Sequence, residues 1–234
     1  MANIVALNNE IHRDLRVRGE AAARFGDDKR FVPLIAGEFA LAAAHYPILL
    51  TKDTNTGGFF AGAMLGFDEG ENLFLDENGM RTYRPLNLQR GAFFTAGEDM
   101  AIDLDSPRID AGGEALFADG RPTPYLESMA QLFRDLVPGV EVTRVFVDTL
   151  VRMRLVEPID ITLSFDDGGN RILEDLYTIN QDALRDLPDT EALDLFRRNY
   201  LYLIYLMIGS LKQIPVLGRR KNDALLAATS GMRT

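Results

Sequence analysis

Two histidines, His12 and His45, are the only imidazoles in the 234-residue chain, and there is no cysteine. The missing thiols exclude disulfides, thiolate zinc sites, iron–sulfur clusters and cysteine nucleophiles. What remains for metal chemistry is nitrogen and oxygen ligation. His12 and Asp14 stand in an H-x-D spacing, and with His45 they form the ligand set of a two-histidine, one-carboxylate iron oxygenase. That is the enzymatic alternative. Three-letter spacings are common, however, and the plainer expectation is a partly buried histidine that hydrogen-bonds the N-terminal strands.

Oxygen ligands are plentiful in the acidic middle, where Gly66 to Asp119 holds twelve carboxylates against four cations. Asp68-Glu69-Gly70-Glu71-Asn72 and Asp76-Glu77-Asn78-Gly79 would suit a hard cation, but neither has the D-x-[DN]-x-[DN]-G spacing of a calcium loop. Solvated turns are the expectation for both. Asp103 and Asp105 share one edge at i,i+2, which alone does not make a hydrolytic pair. Ser128, Ser164 and Ser210 lack the G-x-S-x-G context of an elbow nucleophile.

The glycine-rich run GGFFAGAMLGF, from Gly57 to Phe67, lacks the Gly-Lys-Ser/Thr ending of a phosphate loop. Read as a strand, it places Gly58, Phe60, Gly62, Met64 and Gly66 on one face. That glycine face would let a partner approach closely, so Gly58, Phe60, Gly62 and Met64 are candidate partner-binding residues, with His45 nearby in sequence.

A net charge of −10 argues against general binding of nucleic acid or anionic membranes, since phosphate attraction needs clustered cations. One segment reverses this sign. Arg197 to Lys221 holds six Lys/Arg and no acid, and Arg219, Arg220 and Lys221 could meet an anionic ligand. Cations complementing a helix C-terminus are the ordinary alternative. Tyr200 to Leu211 is the most apolar stretch, shorter than the roughly 20 residues that cross a bilayer, so a buried helix and no transmembrane segment are expected. The N-terminus lacks the apolar core of a secretory signal, which predicts a cytoplasmic protein.

These residues need elements to position them. IVAL (Ile4 to Leu7), DLRVR (Asp14 to Arg18), PILLTKD, GGFFAGAMLGF, ENLFLDENG, GAFFTAG and DMAIDLDSP are short apolar runs closed by turn residues, the mark of strands. A helix is expected over Gly37 to Ala44, ended by Pro47. From Thr123, an N-cap before Pro124, the period becomes helical, and two successive helices are expected on either side of Pro138-Gly139. Ile159 to Asn180 reads as a hairpin turning at Asp166-Asp167-Gly168-Gly169-Asn170. A short helix before Pro188 and a long one from Thr190 to Ile214, with Asp189 as cap, close the fold, and residues 222–234 form a fraying tail. The fold class is α+β in one domain spanning 1–234, β-rich over 1–118 and helix-rich over 119–220. Its antiparallel sheet comes from the N-terminal two-fifths plus the hairpin, covered on one face by helices.

The order of His12-x-x-Leu15-Arg16-Val17, VPLIAGEF (Val32 to Phe39), AAHYPILLTKD (Ala43 to Asp53), GENLFLDENG (Gly70 to Gly79), GEALFADGRPTPYL (Gly113 to Leu126), DLYTINQDALRDL (Asp175 to Leu187) and IYLMIGSLKQI (Ile204 to Ile214) resembles the bacterial SapC family. Ile48-Leu49-Leu50-Thr51 departs conservatively from the aliphatic-phenylalanine run that follows Tyr-Pro in a typical member. The resemblance implies association with bacterial surface layers or an accessory role in outer-membrane uptake or modification, and it brings no catalytic residue set and no cofactor. A protein or peptide partner, with homo-oligomerisation as an added option, is therefore the leading expectation, and a surface-layer structural component is a further alternative.

Overall fold

The computed structural model describes residues 3–97, 99–165 and 169–231. The chain opens with β1 (Ile4–Ala6) and β2 (Arg16–Val17), then β3 (Phe31–Pro33), a 3-10 turn at Ala36–Glu38 and α1 (Phe39–Ala42). β4 (Ile48–Lys52) and β5 (Phe59–Met64) flank a turn in which the Asp53 carboxylate accepts the Asn55 and Thr56 amides. β6 (Leu75–Asp76), β7 (Gly79–Met80), α2 (Leu86–Gln89), β8 (Phe93–Ala96) and β9 (Asp99–Asp103) follow. The two-residue strands β10 (Glu114–Ala115), β11 (Phe117–Ala118) and β12 (Arg121–Pro122) lead into α3 (Pro124–Arg152). Then come β13 (Val156–Pro158), β14 (Ile161–Ser164), β15 (Asn170–Leu173) and β16 (Tyr177–Ile179). Helices α4 (Gln181–Arg185), α5 (Asp189–Arg197), α6 (Tyr200–Ser210) and α7 (Ile214–Gly231) complete an α+β fold whose paired strands are all antiparallel.

The chain divides into two compact units that alternate along the sequence: residues 1–28 with 75–138, and residues 29–74 with 139–234. In the first, β1, β9 and β8 form a three-stranded sheet, with Val5 opposite Ile102 and Phe93 opposite Ile102 on the other side. Its interior is partly polar. Arg108 is only 2% exposed and donates to Asp27 Oδ2 at 2.6 Å and to the carbonyls of Arg18 and Glu20, with its guanidinium 5.0 Å from the centre of the Phe25 ring. Arg84 donates to the carbonyls of Gly19 and Leu88 and lies 3.5 Å from Asp27. A buried carboxylate is tolerable only with such partners, because its uncompensated charge would cost several kcal/mol.

The second unit is built on a five-stranded sheet in the order β13-β16-β4-β5-β3. The apolar strands β4 and β5 occupy its interior, where Ile48 faces Ala63 and Leu50 faces Ala61 across the register, all four buried. Each large side chain buried this way contributes about 1.5–3 kcal/mol. Helix α6 lies against β4 and β16, and the Ser210 hydroxyl accepts the Ile48 amide at 2.8 Å while donating to the Met207 carbonyl. Ser210 is therefore a fastener between helix and sheet. The Ile35 amide donates to the buried Glu38 carboxylate at 3.0 Å, and the Ala36 amide to the Thr143 hydroxyl at 2.7 Å, which fixes the turn before α1.

Four expectations need correction. The two helices expected around Pro138-Gly139 are one: α3 runs through both residues, and a Cβ at Gly139 would lie 2.5 Å from Ile35 Cδ1, so the glycine serves close packing rather than termination. The long helix over Thr190 to Ile214 is interrupted at Asn199, which takes a left-handed φ of 61°, a conformation that asparagine tolerates better than most residues. Asp189 begins α5 rather than capping it; its position in the first turn still suits the helix dipole. Residues 222–231 continue α7 instead of fraying, and 232–234 lie outside the described residues.

The Ile159 to Asn180 hairpin is present but divided in two. β14 and β15 pair with each other alone, Ile161 opposite Leu173, while β16 joins the five-stranded sheet, pairing with β13, which precedes the expected hairpin. The turn expected at Asp166 to Asn170 falls largely on Asp166–Gly168, outside the described residues, as does the side chain of Ser164.

Candidate functional site

A groove of about 790 Å³ opens in the second unit, lined from three separate stretches of sequence. Phe31, Phe60, Met64, Leu173 and Leu176 supply apolar wall, and Ile172, 64% exposed, stands at its edge. Register explains part of the clustering. Phe31 is opposite Met64 and Thr51 is opposite Phe60, so all four side chains share one face of the sheet. The rings of Phe31 and Phe60 meet edge to face, 6.0 Å apart. The neighbouring β14–β15 hairpin is anchored by Phe165, whose ring lies 5.5 Å from that of Phe67, and by buried Ile161.

Around these apolar walls the charges are mixed: Arg30 and Lys52 against Asp53, Glu174 and Asp175. Several polar groups here already hold the frame. The Thr51 hydroxyl donates to the Asp175 carbonyl at 3.0 Å, tying the end of β4 to the segment before β16. Backbone and side-chain hydrogen bonds from Thr56, then the Asn55 amide, hold the Asp53 carboxyl below the usual carboxylate range. A carboxylate stabilised in its charged form by three local donors is a turn brace and a weak base. The Lys52 ammonium sits 5.1 Å from the Phe59 ring centre and 5.2 Å from that of Tyr177.

The glycine-face residues divide between this groove and the packing beneath it. Phe60 and Met64 line the groove together with Gly66 and Gly57; Gly58 lies one residue outside its lining. Gly62 is not open to a partner, because the Phe31 ring covers it and a Cβ there would lie 2.8 Å from the Val32 carbonyl oxygen. Gly66 likewise faces the Glu71 backbone, at 2.6 Å from the position of a Cβ.

The two histidines belong to different units. His12 Nδ1 accepts the Asn8 amide at 3.0 Å within its own loop, Asp14 is exposed beside Arg13, and His45 packs at a tilt against Tyr46, ring centres 5.8 Å apart. Among the described residues no group of three His, Asp or Glu side chains is placed to hold a metal ion; His12 and Asp14 lie in the unit of residues 1–28 and 75–138, and His45 in that of residues 29–74 and 139–234.

The basic C-terminal trio is only partly available. Lys221 is buried and donates to Asp68 at 2.7 Å and to Glu71 at 2.6 Å, while Arg220 stacks over the Phe74 ring at 4.4 Å. Arg219 alone of the three stands exposed without such a contact. This also corrects the reading of Asp68 to Asn72 as a solvated turn: Glu71 accepts the Phe67 amide at 2.8 Å and the Lys221 ammonium together. Burial lowers the Lys221 pKa and the bonds to Asp68 and Glu71 raise it, with a net rise above the ordinary 10.5.

Sequence reasoning missed Arg30, Phe31, Lys52, Ile172, Glu174 and Leu176. Each is an unremarkable residue in its own segment, and only the strand pairing brings the three segments to one groove. What fold and groove define is an α+β protein whose concave surface is apolar within and mixed in charge around it. The chain belongs to the SapC family, whose model matches residues 7–217. No curated protein and no solved structure matches it.

Proposed function

We propose that this SapC-family chain is a non-catalytic accessory protein that binds an extended peptide segment of a partner in the groove beside the β14–β15 hairpin. The observation that carries the reading is the lining itself: aromatic and aliphatic walls of a size typical for ligand sites, with both signs of charge around them. A peptide offers apolar side chains for the walls and a neutral backbone dipole for a rim that would repel part of any strongly charged ligand. Hydroxyl and carboxylate groups that an enzyme would aim at a substrate, Thr51 and Asp53, are instead engaged in bracing the loop.

The test is selection from a peptide array with the full chain, followed by titration of the best sequence. Ile172→Glu changes a mostly exposed side chain and should leave folding intact while weakening the selected peptide by at least about tenfold, and Phe60→Ala should do the same by removing an aromatic anchor. Failure to select any sequence, or wild-type affinity in both variants, would sink the proposal.

A further inference from the structure

Helix α6 has two different sides. Ile204, Met207 and Ser210 are fully buried on one, whereas Tyr202 and Tyr205 are 50% and 61% exposed on the other, continued one turn on by exposed Gly209 and Lys212. Phe196, in the last turn of α5, is 68% exposed. Together α6 and α7 make the one helical stretch among the described residues, Tyr200–Thr229, that is long and apolar enough to cross a membrane by length and composition, yet only 28% of its most apolar window is buried. The core-facing side chains of α6 pin it to the sheet, so its other side is displayed at the surface of the unit.

Charge narrows what could cover this face. Arg197 and Arg198 precede it, Lys212 and Arg219 follow it, and no acid occurs between Asp194 and Asp223 in a chain of net charge −10. Arg198 is exposed but held by Asp194 at 3.0 Å, and exposed Arg220 stacks over the Phe74 ring, while Arg197, Lys212 and Arg219 are further exposed cations. A second copy docked by antiparallel two-fold pairing would bring the Arg197 end of each helix beside Lys212 of the other, opposing like charges at both ends. An anionic surface has no such conflict. The face is a convex helix flank carrying tyrosines, which are enriched where one end of a side chain is apolar and the other meets lipid headgroups.

We infer that the α6 face, through Tyr202 and Tyr205 with Arg197 and Lys212 at its two ends, is a docking surface for an anionic lipid bilayer, with the helix lying in the headgroup plane. At physiological salt the screening length is about 8 Å, so the acids elsewhere on the chain oppose this weakly while cations at the contact act fully. The surface uses none of the groove residues and stands or falls separately from peptide binding.

The experiment is co-sedimentation of the full chain with phosphatidylcholine vesicles containing roughly 30% phosphatidylglycerol, and with phosphatidylcholine alone. The chain should sediment with the anionic vesicles and about fivefold less with the neutral ones. The double variant Tyr202→Glu/Tyr205→Glu should reduce the partition by about tenfold, and Arg197→Glu/Lys212→Glu comparably, with unchanged far-ultraviolet circular dichroism. A wild-type chain that stays in the supernatant overturns the inference, as does a folded double variant that sediments equally. A wild-type dimer without vesicle binding, rendered monomeric by the tyrosine substitutions, would overturn it too and assign the face to a second copy.

Discussion

Lys221 shows how one side chain settles the meaning of a whole loop. Its ammonium is shared between Asp68 and Glu71, and Glu71 also receives the Phe67 amide, so removal of Lys221 strands two carboxylates that the loop backbone holds in place. Lys221→Met keeps the aliphatic stem and deletes the charge. It should cost about 2–3 kcal/mol, between the values for exposed and fully buried pairs, because Asp68 remains partly in water. The sign of the pH dependence follows from the raised pKa: the contribution is complete below the ordinary value of 10.5 and is lost as pH rises through the higher folded-state value. Denaturant titrations of wild type and variant should therefore differ by a constant amount near neutrality and converge in strong alkali. An equal gap at every pH would mean that the lysine acts by packing alone.

Among the elements, β5 carries the most information per residue. Gly62 exists to admit the Phe31 ring, and Gly62→Ala should destabilise the chain by about 1–3 kcal/mol by forcing that ring or the Val32 backbone to move. Phe31→Ala in the same background should recover part of the loss in a thermal melt, whereas simple additivity of the two costs would refute the contact as its source. Strand β5 was legible because its alternation and turn residues are local. Strands β8 and β9, the β14–β15 pairing within the Ile159 to Asn180 hairpin and the start of α3 at Pro124 were legible for the same reason. Pro138 misled because a missing amide weakens a helix without ending it when neighbouring packing, here Gly139 against Ile35, favours continuation. Asn199 misled in the other direction, since nothing in the periodicity marks a single left-handed residue between two helices. Of the candidate site, Phe60 and Met64 were readable from the alternation of β5. The rest was not, because Arg30 and Phe31 reach the groove through the pairing of β3 with β5, and Ile172 to Leu176 through that of β16 with β4, neither of which a local pattern marks.

For the molecule as a whole, the alternation of its two units along the chain matters more than their sizes. The boundary is crossed after Asp28, Phe74 and Pro138, so neither unit is one continuous segment, and each closes its core with strands or side chains from distant sequence. In the unit of residues 1–28 and 75–138 the closure is polar: Arg108, from the second segment, ties down Asp27 and the carbonyls of Arg18 and Glu20 from the first. In the other it is the sheet, where β16 joins β4. Arg108→Met should accordingly cost about 3–5 kcal/mol, since it takes the nearest cation from the buried Asp27 carboxylate, which keeps the Ala22 amide and the longer contact from Arg84. Arg108→Lys should rescue little, because one ammonium cannot reproduce the planar fork that reaches a carboxylate and two carbonyls at once. Hydrogen exchange of the Arg108→Met chain separates a local from a global effect. Amides of residues 1–28 and 75–138 should lose most of their protection while those of β4 and β5 keep theirs; uniform loss across both sets would show that the two cores unfold as one cooperative body and that the polar clasp stabilises the entire chain.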